Sequence, residues 1–134
     1  MPGYSGTPLP KKLGIKDNLH VCLVDAPSEV VSELMLTLNK CTTVADHKSP
    51  IDFAMVFTKS ASMLTKKLKQ LTKQLSPAGM VWVSWPKKTS GVPTDLNENI
   101  VRKIGLAAGL VDVKVCAVTE VWSGLRFVRR LKDR

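Results

Sequence analysis

The apolar runs Val111–Val118 and Leu125–Arg129 are separated by only about six residues, and that brevity decides how the chain can end. Parallel neighbours in a sheet need a crossover of a dozen or more residues, so these two strands must form an antiparallel hairpin. Upstream the pattern changes. Leu19–Val24 is short, apolar and partly β-branched, and Asp25-Ala-Pro-Ser breaks it before a helical face of Val30, Val31, Leu34, Met35 and Leu38. Pro27 suits the first turn of that helix, where its missing N–H costs nothing. A weak strand at Cys41–Ala45 and a stronger one at Ile51–Phe57 follow. Ser60 or Ser62 then caps a helix running to Leu75, with Leu64, Leu68, Leu71 and Leu75 as its stripe and Lys66, Lys69 and Lys73 on its solvated side. Strands alternating with helices imply an α/β fold: one three-layer, Rossmann-like domain with a mostly parallel sheet, closed by the C-terminal hairpin.

The stretch Gly79–Gly91 is where such a sheet would build a site. Its apolar strand stops at Pro86 and continues into a polar loop with Lys87, Lys88, Thr89 and Ser90. Ligands of open α/β sheets sit outside the C-terminal strand ends. That rule brings Asp25, Asp46, Thr58, Ser84 and Trp85 to one rim, and the hairpin tip Glu120–Gly124 rises there with Trp122. The candidate ligand-binding set is Asp25, Ser84, Trp85, Lys87, Lys88, Thr89, Ser90 and Trp122. Two tryptophans can stack a ring and two lysines can hold an anion. The competing reading is that the indoles merely seal the sheet end. After this loop Thr94 or Asp95 caps another helix, with Ile100, Val101, Ile104 and Ala108 inward and Gly109 ending it.

Composition narrows the partners. The 134 residues suffice for one domain with a core, and no apolar run reaches the length of a membrane span. No secretory signal is visible at Met1–Pro10, so a cytoplasmic location is expected. Cys22, Cys41 and Cys116 lack ligand spacing and read as reduced thiols, with no metal expected. The net charge of +9 suits an anionic small molecule or a nucleic acid, although solubility explains it as well. A protein partner at the rim is a further expectation. His20 and His47 read as structural or surface residues, and no hydrolase, redox or phosphate-loop motif occurs. Enzymatic activity is left open by these residues.

Residues 1–14 form a Gly/Pro-rich arm that ends in one helical turn from Leu9 to Leu13, and residues 15–134 make up the domain. Tyr4 is the residue expected to anchor the arm. The stretches Gly3–Leu9, Lys11–Lys16, Val83–Lys88 and Trp122–Arg130 resemble a small uncharacterised bacterial family of domains of unknown function, a likeness that brings no activity with it. In layout, Leu19–Arg130 resembles a shortened class I S-adenosylmethionine-dependent methyltransferase. That resemblance implies a sheet ordered second strand, first, third, fourth, last, fifth.

A methyltransferase of that class uses a glycine turn after its first strand, where the backbone approaches the cofactor. Here the turn is Asp25-Ala-Pro-Ser-Glu29, without glycine. Asp46 stands where a ribose-binding acid would end the second strand, and Thr58-Lys-Ser60 replaces the loop of the amino-methylating members. The expectation is therefore a non-catalytic ligand- or protein-binding domain with a degraded S-adenosylmethionine site and no cofactor. A divergent methyltransferase and a basic nucleic-acid-binding module are the alternatives.

Overall fold

Strands β1 (His20–Val24), β2 (Thr42–Thr43), β3 (Ile51–Phe57), β4 (Leu75–Pro86), β5 (Leu110–Ala117) and β6 (Trp122–Arg129) make one sheet in the order β2-β1-β3-β4-β6-β5. The computed structural model describes residues 7–134, so Tyr4 lies outside the described residues. β1 pairs in parallel with β2 and β3, and β3 in parallel with β4, while β6 runs antiparallel between β4 and β5. This is the order and the hairpin that the short final connection and the methyltransferase layout require.

Helices α1 (Leu9–Leu13) and α2 (Ser28–Leu38) cover one face, and α3 (Ala61–Gln74) and α4 (Glu98–Ala107) cover the other. Period-two alternation sorts the strand residues between them. Val21, Phe53, Met55, Phe57 and Trp82 pack with Leu9, Leu13, Val30 and Leu34. Ala54, Val56, Val81, Val83, Leu125 and Phe127 pack with Leu64, Leu68, Leu71 and Val101. The buried Trp82 donates its indole N–H to the Leu13 carbonyl at 2.8 Å, which fastens the N-terminal segment to the central strand. Met35, expected inward, is 44% exposed because Val30 and Leu34 already fill the buried stripe of α2.

Several local details differ from the sequence reading. β4 begins at Leu75 rather than Gly79, because it follows α3 directly and absorbs the extra residues as a register shift opposite Ile51 and Phe53. Gly79 permits that irregularity, since a Cβ there would lie 2.9 Å from the Ile51 carbonyl oxygen. The cap of α4 is Asn97, whose Oδ1 accepts from the Ile100 N–H at 2.9 Å. Thr94 and Asp95 instead tie the start of α3: the Thr94 hydroxyl donates to the Lys59 carbonyl, and the Asp95 carboxylate accepts from the Ala61 N–H at 2.8 Å. Trp122 is the first residue of β6, not part of the hairpin tip.

Candidate functional site

The strands β1, β3, β4 and β5 all end on one edge of the sheet, and the segments that follow them form its rim. At the end of β1, Asp25 is exposed and adopts a left-handed backbone with φ 55°. Glycine is the usual occupant of such a conformation. Asp tolerates it better than most side chains because its short carboxylate can bond locally. Pro27 is the N-cap of α2 rather than a first-turn residue, and it offers no side-chain cap. Among the described residues, the N-cap supplies no side chain to the backbone N–H groups that open α2, and the Pro27 carbonyl accepts from the Val30 and Val31 N–H groups.

After β4, Lys87–Gly91 folds into a single 3-10 turn closed by Gly91 at φ 75°. The Ser90 hydroxyl donates to the Lys87 carbonyl at 2.6 Å and accepts from the Val92 N–H at 3.2 Å, so it shapes the loop. The Lys87 N–H reaches the Val121 carbonyl at 2.7 Å, joining the loop to the hairpin tip. Trp85, Lys87, Lys88 and Thr89 share a hollow of about 700 Å³ with Asn97 and Ser123. Asn97 and Ser123 were not among the sequence candidates. Their only signal there was a polar side chain before a helix and a serine beside a tryptophan.

The two tryptophans do not meet at this hollow. Trp85 belongs to the core under α3 and α4, whereas Trp122 packs on the α1–α2 face, edge-on to Phe57 with centroids 5.2 Å apart. The register explains this. Trp122 pairs with Pro86 and Ser123 with Trp85, and successive residues point to opposite faces. The expected convergence of the two indoles does not occur. Ser84 is fully buried, aligned with Phe57 and Gly124 on neighbouring strands, and its hydroxyl has no hydrogen-bond partner among the described residues. Asp46 does not stand free at the rim: Lys67 and Gln70 of α3 donate to its carboxylate, and Lys67 holds its pKa below the usual carboxylate value.

Other chemistries find little here. Burial pushes the Cys22 and Cys116 thiols up, away from the reactive thiolate, although Lys12, Lys114, Arg126 and Lys87 pull Cys116 down. His20 bonds Asp52 at 3.2 Å at the opposite end of β1 from the rim, and His47 lies beside Asp46. Among the described residues no three His, Cys, Asp or Glu side chains gather to hold a metal, and no helix is long and apolar enough to cross a membrane.

Solved structures share this architecture. A cysteine-to-alanine variant of LepI in complex with SAH and substrate analogue superposes with a TM-score of 0.58 at 10% identity, covering 92% of this chain and 47% of that one. This chain thus spans about half of LepI. Magnesium protoporphyrin IX methyltransferase from Synechocystis PCC 6803 with bound SAM matches at TM-score 0.60 and 15% identity, covering 91% and 74%. Precorrin-6y C5,15-methyltransferase from Geobacter metallireducens GS-15 gives 0.61 at 11% identity, covering 91% and 86%. These neighbours overturn the expectation that S-adenosylmethionine could be set aside, because members of this fold are seen holding SAM or SAH. The expectation took the absence of glycine from Asp25–Glu29 as decisive, yet a left-handed backbone forms there at Asp25 without one. No curated protein sequence matches the chain. A model of a protein family of unknown function, DUF3052, matches residues 12–131, and the chain belongs to that family.

Proposed function

We propose that this chain is a ligand-binding protein of methyltransferase architecture that holds S-adenosylmethionine or S-adenosylhomocysteine across the turn after β1. The observation that carries this reading is the left-handed Asp25 just before the N-terminus of α2, where the N-cap supplies no side chain. Such a turn brings backbone donors to a ligand, and the helix end favours a carboxylate there. The architecture supports it, since the neighbours with bound SAM or SAH share the fold that places this turn at the rim. The Lys87–Lys88 loop supplies a second contact, two ammonium groups beside the hollow under Trp85. Methyl transfer is the second reading, favoured by the same likeness to methyltransferases.

Calorimetry with S-adenosylmethionine, S-adenosylhomocysteine and ATP tests the proposal. Saturable one-to-one binding of an adenosyl ligand is expected. Asp25→Gly should retain it, because glycine keeps the turn, whereas Asp25→Val should weaken it, because a β-branched residue strains the left-handed backbone by about 1–2 kcal/mol. Lys87→Ala with Lys88→Ala should weaken an anionic ligand by about 1–3 kcal/mol, the range of charge-assisted hydrogen bonds, without unfolding the protein. Absence of saturable binding up to about 1 mM, where affinity is only about 4 kcal/mol, would overturn the reading. Binding that Asp25→Val leaves unchanged would move the ligand away from the β1 turn.

A further inference from the structure

The basic residues of α3 and the basic C-terminus are far apart in sequence, and the fold places them side by side. Lys69 and Lys73 on α3 face Lys103 on α4 across a groove of about 870 Å³, with Arg129 at its end and Ile104 and Ala108 lining its floor. No acidic residue lines it. The nearest acids of α4 and β5 are occupied: Glu98 and Asp112 both accept from Arg102, at 2.8 and 2.9 Å. Among the described residues no salt bridge engages Lys69, Lys73 or Lys103.

The surface continues past the groove. Arg129 donates to the Thr72 and Leu75 carbonyls at the end of α3, and Arg130 to the Leu106 carbonyl near the end of α4. Arg134 donates to the Arg129 carbonyl, which closes the C-terminal turn over Leu131–Asp133 beside Arg129. Helix-end electrostatics account for Arg129 and Arg130, whose charge sits on otherwise free carbonyls. They do not account for Lys69 and Lys103, each at least one turn inside its helix. Lys69 and Lys73, four residues apart, stand about 6 Å apart along α3, a like-charge pair that costs the helix a few tenths of a kcal/mol.

We infer that the α3–α4 groove and the adjoining C-terminal segment form a docking face for the sugar–phosphate backbone of a nucleic acid. The four cations that line the groove, Lys69, Lys73, Lys103 and Arg129, are continued by Arg130, Lys132 and Arg134 in the segment that follows it, more positive charge than one small anion needs and enough for a repeating one. The groove is concave, which raises the local concentration of anions. This face lies on the α3–α4 side, away from the β1 turn, so the inference stands independently of the adenosyl-ligand reading.

Fluorescence anisotropy with labelled strands of about 20 nucleotides, as RNA, DNA and duplex DNA, between about 50 and 200 mM salt, tests it. Saturable binding that weakens steeply with salt is expected, and comparison of the three probes identifies the preferred nucleic acid. Lys69→Gln with Lys73→Gln and Lys103→Gln should weaken binding about tenfold or more at the lower salt and flatten the log–log salt slope by about 2, as three lost single-strand phosphate contacts require. Lys11→Gln with Lys16→Gln and Lys40→Gln removes the same charge from the α1–α2 side and should change affinity less than about twofold. Melting curves confirm that both variants fold. Equal weakening by the two triple variants would show that net charge, not this face, is responsible, and would overturn the proposal. So would no binding of any nucleic acid at the lowest salt, or binding only to vesicles of anionic phospholipid.

Discussion

Gly105 sits in the last turn of α4, where helix propensity alone says that alanine should stabilise the protein by at most about 1 kcal/mol. The packing says the opposite. A Cβ added at Gly105 would lie 2.1 Å from Phe127 Cε1, 2.4 Å from Cζ and 2.7 Å from Cδ1. Carbon atoms at rest stand about 3.5–4.0 Å apart, so the ring or the helix must give by more than about 1 Å. Phe127 is fully enclosed in the core beneath α3 and α4, so the ring has little room to swing away. Overpacking of this kind costs about 1–3 kcal/mol, and contact with three ring atoms puts Gly105 at the upper end. Setting about 3 against the gain of about 1 leaves a net loss of about 2 kcal/mol, or a fall in Tm of about 6–10 °C for a chain of this size. Thermal and urea unfolding of Gly105→Ala measure this directly. A Tm that stays level or rises would refute the packing argument. The double variant with Phe127→Leu should recover part of the loss, because the smaller side chain vacates the space that the new methyl needs. Purely additive losses would show that the two residues are not in contact as described.

Acid should unfold the protein partly through Asp46. The hydrogen bond from Lys67, against a smaller effect of burial, holds its folded pKa below the ordinary 3.8. Its contribution is therefore present above the unfolded value and is lost as pH falls through the folded one. The urea midpoint should drop more between about pH 5 and pH 3 in the native protein than in Asp46→Asn, and parallel curves would remove Asp46 from the acid response. Leu9→Ala should cost about 2–4 kcal/mol, because Leu9 is 3% exposed within the α1–α2 core. An unchanged melting curve would mean that α1 does not pack in solution.

Much of the fold was legible because it follows from local rules. Ile51–Phe57 reads as a strand and is one to the residue, since its apolar run is bounded by turn chemistry on both sides. Of the two serines offered as the cap of α3, Ser60 is the one that serves, accepting from the Met63 N–H at 3.3 Å. The hairpin follows from connection length alone. What the sequence concealed depends on distant partners. Asp95 looks like the cap of the helix after it, yet its carboxylate serves α3, earlier in the chain. Gly79 looks like a break between elements, yet it lies inside β4 because the strand needs one position without a side chain against Ile51.

The rim shows the same limit in a form that bears on function. Ordering strands by their C-terminal ends brings Ser84, Trp85 and Trp122 to one edge, but it says nothing of which side of the sheet each serves. That is decided by parity within β4 and by the register of β6 against it. With Pro86 opposite Trp122, a ligand in the hollow under Trp85 is shielded from Trp122 by the sheet itself. Trp122 packs on Phe57, which is aligned with Ser84, whose buried hydroxyl has no partner among the described residues. A desolvated hydroxyl without a partner costs about 1–3 kcal/mol, and parity puts Ser84 on the α1–α2 side of the rim, the side on which Asp25 leads into α2. The lysine loop belongs to the α4 side. A ligand that used both would have to cross the strand ends between them, a span that an extended molecule can reach and a compact anion cannot.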